Sequence, residues 1–72
     1  MKKLRKVASN KIALPDGQIQ TLSVVEICDG QVTALYPLTQ EQPFTEWVGG
    51  CLSLRRDEQG LLRCYYQDRI IE

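Results

Sequence analysis

The sequence predicts an all-β domain, and three observations carry that prediction. Ile19–Cys28 is rich in β-branched residues and holds neither Gly nor Pro. Asp29-Gly30 then separates it from a second such run, Gln31–Tyr36, and Asp-Gly between two β runs is a strong hairpin signal because both residues tolerate positive φ. Near the end, Leu52 and Leu54 alternate with Ser53 and Arg55, and Leu62, Cys64 and Tyr66 alternate with Arg63 and Tyr65. A period of two means one buried face. No segment carries the apolar spacing of an amphipathic helix.

Taken in order, the first strand covers roughly Leu4–Ala13 and stops at Pro15-Asp16-Gly17, where Pro presets φ and Gly accepts the left-handed position. Pro37 ends the third strand. Residues 39–46 (TQEQPFTE) are polar, contain Pro43 and read as a loop. Trp47–Arg55 is the fourth strand, interrupted by Gly49-Gly50, a pair that signals a bulge or a close backbone approach. Asp57–Gly60 is a turn, and Leu61–Tyr66 is the fifth strand. Residues 67–72 either lengthen that strand or dock Ile70 and Ile71 on a neighbour. The expected architecture is a small five- to six-stranded antiparallel β-sandwich or open barrel built from hairpins.

At 72 residues the chain is one domain, residues 1–72. A chain this small buries only about 60% of its extended surface, so its core is thin and self-association is expected. The hydrophobic share of 43% and charged share of 25% are those of an ordinary soluble domain. There is no histidine, which excludes His-ligated metal, Ser-His and Cys-His catalysis and any imidazole base. MKKLRK starts like a signal peptide, but Val7–Lys11 breaks the apolar run that one needs, and no stretch is long enough to span a membrane. The expected location is the cytoplasm. Cysteines at 28, 51 and 64 are odd in number and form no CxxC, so they read as reduced packing residues rather than a disulfide framework or zinc site. No cofactor or metal is expected.

Charge balances only in sum. Residues 1–11 carry five cations (Lys2, Lys3, Arg5, Lys6, Lys11) and no acid, whereas residues 12–50 carry five acids (Asp16, Glu26, Asp29, Glu41, Glu46) and no Lys or Arg. Lys2, Lys3, Arg5 and Lys6 are therefore the candidate anion-binding residues. The alternative is that this strand lies beside the acidic middle strands, where opposite charges on paired strands are mildly favourable. A pI near 6.2 argues against a nucleic-acid-binding domain.

One stretch resembles a known family. Val25-Glu26-Ile27-Cys28-Asp29-Gly30-Gln31-Val32, then Tyr36-Pro37-Leu38, then Thr45-Glu46-Trp47-Val48-Gly49-Gly50-Cys51-Leu52 is similar to the opening of amidohydrolase-superfamily enzymes, whose small N-terminal β-sandwich precedes a metal-binding (β/α)₈ barrel. The likeness covers roughly residues 5–54. Where that family places Pro-Gly and then His-x-His, this chain has Ser53-Leu54-Arg55-Arg56 and folds back through Gly60. The resemblance thus implies the accessory sandwich alone, with a structural packing role and no activity.

Individual side chains point the same way. Asp57, Glu58 and Glu41 lie in turns or loops, as solvated acids do. Arg55, Arg56 and Arg63 can form an anion patch or a solvated face with turn acids. Tyr65 and Tyr66 fall on opposite faces, and an exposed Tyr beside Arg is typical of interface hot spots. Trp47 lies beside Gly49-Gly50, in the core or at a groove. No residue has a catalytic assignment. The expected function is non-enzymatic: a β domain acting through protein contact or self-association, with Trp47, Arg55, Arg63 and Tyr65 as the interaction surface and Glu26 as a further contributor. The alternative is a nucleic-acid-binding small barrel that uses the basic first strand.

Overall fold

Turn chemistry sets the hairpins. The computed structural model describes residues 3–40 and 44–72, so Lys2, Glu41 and Pro43 lie outside the described residues. At Asp29-Gly30 both residues take positive φ, 52° and 81°, as the sequence predicts for a two-residue hairpin turn. That turn joins strand β2 (Ile19–Cys28) to β3 (Gln31–Pro37). β1 (Leu4–Ala13) meets β2 through the Pro15-Asp16-Gly17 turn. Here the Leu14 amide donates to the Gln18 carbonyl at 2.7 Å and the Gly17 amide to the Leu14 carbonyl at 3.0 Å. β5 (Cys51–Arg56) and β6 (Leu62–Tyr66) are joined by the same device. There the Asp57 amide donates to the Leu61 carbonyl at 2.9 Å and the Gly60 amide to the Asp57 carbonyl at 3.0 Å.

Three features depart from the expected architecture. The described residues form seven strands rather than five or six, in one sheet of order β3-β2-β1-β5-β6-β7 that does not close; β4 (Thr45–Trp47) also pairs with β1. The extra C-terminal strand is β7 (Arg69–Ile71), produced by a Gln67-Asp68 turn in which both residues take positive φ without a glycine. The sheet is also not wholly antiparallel, because β1 pairs in parallel with β4 and β5.

The expected fourth strand is split in two by Gly49-Gly50. Ala8 pairs with Trp47 and Lys11 with Cys51, so three steps along β1 match four along the partner. That one-residue surplus is a bulge, and Gly50 absorbs it at φ 98°.

β1 is the central strand, with β2 along one edge and β4 then β5 along the other. Its basic residues therefore meet the acidic strands: Lys6 pairs with Glu26 on β2, and the Arg5 guanidinium holds Glu46 on β4. The sheet curls until β3 touches β6, which is not its hydrogen-bonded neighbour. Val7, Ile12, Val25, Ile27, Val32, Leu52, Leu54 and Cys64 fill the inside of the curl.

Val7 and Ile12 both face that core although an odd number of steps separates them. The phase slips where the Asn10–Leu22 pair is missing from an otherwise continuous register, and Leu22 takes φ 45° there. Next to the slip, Ser9 and Ser23 are buried opposite each other, and both hydroxyls find carbonyl partners. No helix among the described residues is long and apolar enough to cross a membrane.

Candidate interaction surface

Register alone assembles a row on the face turned away from the core. Ile12, Leu52 and Tyr66 pair across β1, β5 and β6 and point inward. Their chain neighbours point outward and pair in turn: Ile19 with Ala13, Ala13 with Ser53, Ser53 with Tyr65, and Tyr65 with Ile70. The row crosses five strands. Its middle is small and half-buried at Ala13 and Ser53, and its ends are large and apolar, with Ile19 60% and Ile70 42% exposed. β strands usually place polar residues on a solvated face. Two isoleucines and a tyrosine in one cross-strand row break that rule.

The Arg55 guanidinium lies 4.4 Å over the Tyr65 ring. This is cation–π geometry and gives the row a charged cover. Arg55 also reaches Asp68 at 3.5 Å, but Asp68 is 96% exposed, and a pair so open to water contributes almost nothing.

Arg63 is engaged differently. Its Nε donates to Asp57 Oδ2 at 3.0 Å, and both side chains are partly buried. Asp57 Oδ1 also accepts the amides of Gln59 and Leu61, each at 2.9 Å. The Leu61 amide above all, then the Arg63 and Gln59 donors, hold the Asp57 carboxyl below the usual carboxylate range. Arg56, Asp57, Glu58, Gln59, Arg63 and Tyr65 together line an open depression beside this turn. Arg63 packs so close to the β2–β3 turn that a Cβ on Gly30 would lie 2.9 Å from one of its nitrogens. Of the arginines on this hairpin, Arg55 and Arg56 are therefore exposed, while Arg63 braces two turns.

Trp47 is 55% exposed and pairs with Ala8, which pairs with Val24, which pairs with Tyr36. Ala8 and Val24 are fully buried and absent from the main core, so Trp47 flanks a second small apolar row on the outer face. Glu26 is not a free surface acid. It accepts a 2.6 Å hydrogen bond from the Tyr36 hydroxyl, which raises the Tyr36 pKa.

On the basic first strand, Arg5 is held by an acid. Arg5 Nε and Nη2 donate to both oxygens of Glu46, at 2.6 and 2.9 Å, and Nη1 donates to the Glu72 carbonyl at 3.2 Å. The Arg5 hydrogen bond lowers the Glu46 pKa, and nearby Lys3 adds to the effect. Lys6 stands opposite Glu26, and the Lys3 amide donates to Asp29. Lys2 lies outside the described residues.

Cys51 is exposed beside Lys11, Cys28 is half-buried, and Cys64 is buried in the core, which pushes its thiol up to about 11. No three His, Cys, Asp or Glu side chains among the described residues stand in a metal-holding group.

Sequence reasoning picked out Tyr65 and Arg55 as surface residues but did not align them with Ile19, Ala13, Ser53 and Ile70. Their alternation was visible within each strand, but only the pairing of β1 with β5 places them in one row. Compared with known protein families, curated proteins and solved structures, the chain finds no match in any of the three.

Proposed function

We propose that the chain is a non-enzymatic β domain that works through protein contact, including contact between its own copies. The observation that carries this reading is the outward row Ile19–Ala13–Ser53–Tyr65–Ile70. Exposed apolar side chains aligned across strands and flanked by polar residues mark interaction sites, and Tyr and Arg are the residues that concentrate binding energy in such places. Surface arithmetic agrees. The chain exposes 5010 Å², against roughly 4,500 Å² expected of a monomer of its mass. The curled sheet, with β3 against β6, is in this reading an open barrel whose outer face does the docking.

The amidohydrolase resemblance is kept as a proposal of ancestry. Its central motif falls on the β2–β3 hairpin and the exit from β3. A cytoplasmic location goes with both proposals.

Sedimentation velocity at tens of micromolar tests the self-contact, with Ile19→Glu and Ile70→Glu as the disrupting changes. Association in the parent and loss of it in both variants is the expected result. A strict monomer, together with a native-host pull-down that captures the same proteins with parent and variants, would overturn the reading.

A further inference from the structure

β4 differs from every other strand near the centre of the sheet. It spans three residues, and two of them, Glu46 and Trp47, are exposed. Of the two hydrophobic residues in Thr45–Val48, Val48 packs against the core and Trp47 does not. β5, which continues the same edge, is anchored by Leu52 and Leu54, both fully buried. The holds on β4 include the two-pronged Arg5–Glu46 contact at 2.6 and 2.9 Å and the Val48 amide on the Ala8 carbonyl at 2.9 Å. Residues with positive φ bracket the segment, Phe44 at 57° on one side and Gly50 at 98° on the other. At Gly50 a side chain would meet nothing within 4 Å.

Local stability follows buried apolar contact, and segments that lack it open without global unfolding. We propose that Thr45–Val48 is a releasable strap, which lifts off β1 between hinges at Phe44 and Gly50 while β5, β6 and the β1–β2 pairing stay formed. Release leaves the Lys6–Ala8 edge of β1 without its parallel partner. A bare backbone edge of this kind is what an extended strand pairs with. The strap stands on geometry in this chain alone and does not depend on the outer-face docking proposed above.

Residue-resolved amide hydrogen exchange tests it, on the whole chain and on Glu46→Gln. In the parent, the Val48 amide is expected to exchange at least about 100-fold faster than those of Leu52, Leu54 and Cys64, a gap of the size expected between local and global opening. Glu46→Gln removes the charge that Arg5 holds, and exchange at Val48 should rise about three- to fivefold, the range for a partly exposed ion pair. The three core amides should not move. Val48 exchanging at the core rate in the parent would overturn the proposal. So would a Glu46→Gln variant that leaves Val48 unchanged or accelerates all four amides alike.

Discussion

The Ser9 hydroxyl donates a 2.7 Å hydrogen bond to the carbonyl of Gly50, from a side chain with no exposed surface. It ties the central strand to the residue that absorbs the bulge between β4 and β5. Ser9→Ala removes the donor, and equilibrium urea unfolding should show a loss of about 1 kcal/mol, the usual net contribution of such a bond.

The two glycines of the bulge are not equivalent. Gly50 sits at φ 98°, whereas Gly49 is not in the left-handed region, and a Cβ at either meets nothing within 4 Å. Gly50→Ala should therefore cost about 1 kcal/mol or more through backbone strain alone. Gly49→Ala should be neutral or slightly stabilising, through a less flexible unfolded chain. Thermal melts of the two variants side by side check the difference.

The core is small enough for one side chain to matter. Leu54 is fully buried within a cluster of eight residues. Leu54→Ala should cost about 2–5 kcal/mol, against a total of roughly 4–11 kcal/mol for a chain of this length. Far-ultraviolet circular dichroism should show the variant partly unfolded at 37 °C.

The three cysteines should react in order of exposure. Cys51 is exposed and should be modified first by a thiol reagent under native conditions, with half-buried Cys28 slower. Cys64 is buried, its thiol pushed up to about 11, and should react only at the rate of global opening. Mass spectrometry after timed quenching reads the order. Early labelling of Cys64 would mean that the sheet does not enclose it.

Asp57 links stability to acid. Its folded pKa is lowered, so its contribution is fully present above the ordinary carboxylate pKa and is lost as pH falls through the folded value. Melting temperatures of the parent and Asp57→Asn should differ at pH 7, and the gap should narrow as pH falls below the ordinary carboxylate value of about 4.

What the sequence discloses is mostly local. The bounds Leu4–Ala13 and Ile19–Cys28 and the Asp29-Gly30 turn were readable because β-branched runs and Gly-containing turns act over a few residues. β7 was only half readable, because Gln67-Asp68 makes its tight turn without the glycine that usually marks one. The bulge at Gly49-Gly50 was visible, but not what it is a bulge against, since its partner is β1, some 40 residues earlier. The same gap hid the candidate surface. Ala13 and Ser53 are unremarkable in sequence and become the floor of a row only once β1 lies beside β5. The charge blocks were legible as a strand-pairing pattern, and the Arg5–Glu46 contact is one of its products.

The central position of β1 also governs how the sheet comes into being. β1 leaves the ribosome before its neighbours in the sheet, and its parallel partners Thr45–Trp47 and Cys51–Ser53 follow only after the whole β2–β3 hairpin. Leu4–Pro37 can form a three-stranded meander, but the outer edge of β1 must wait. Contacts of such long sequence separation slow folding. The nascent chain thus has a period in which the edge that later becomes the middle of the sheet lies open, and that interval exposes it to mispairing with a neighbouring chain.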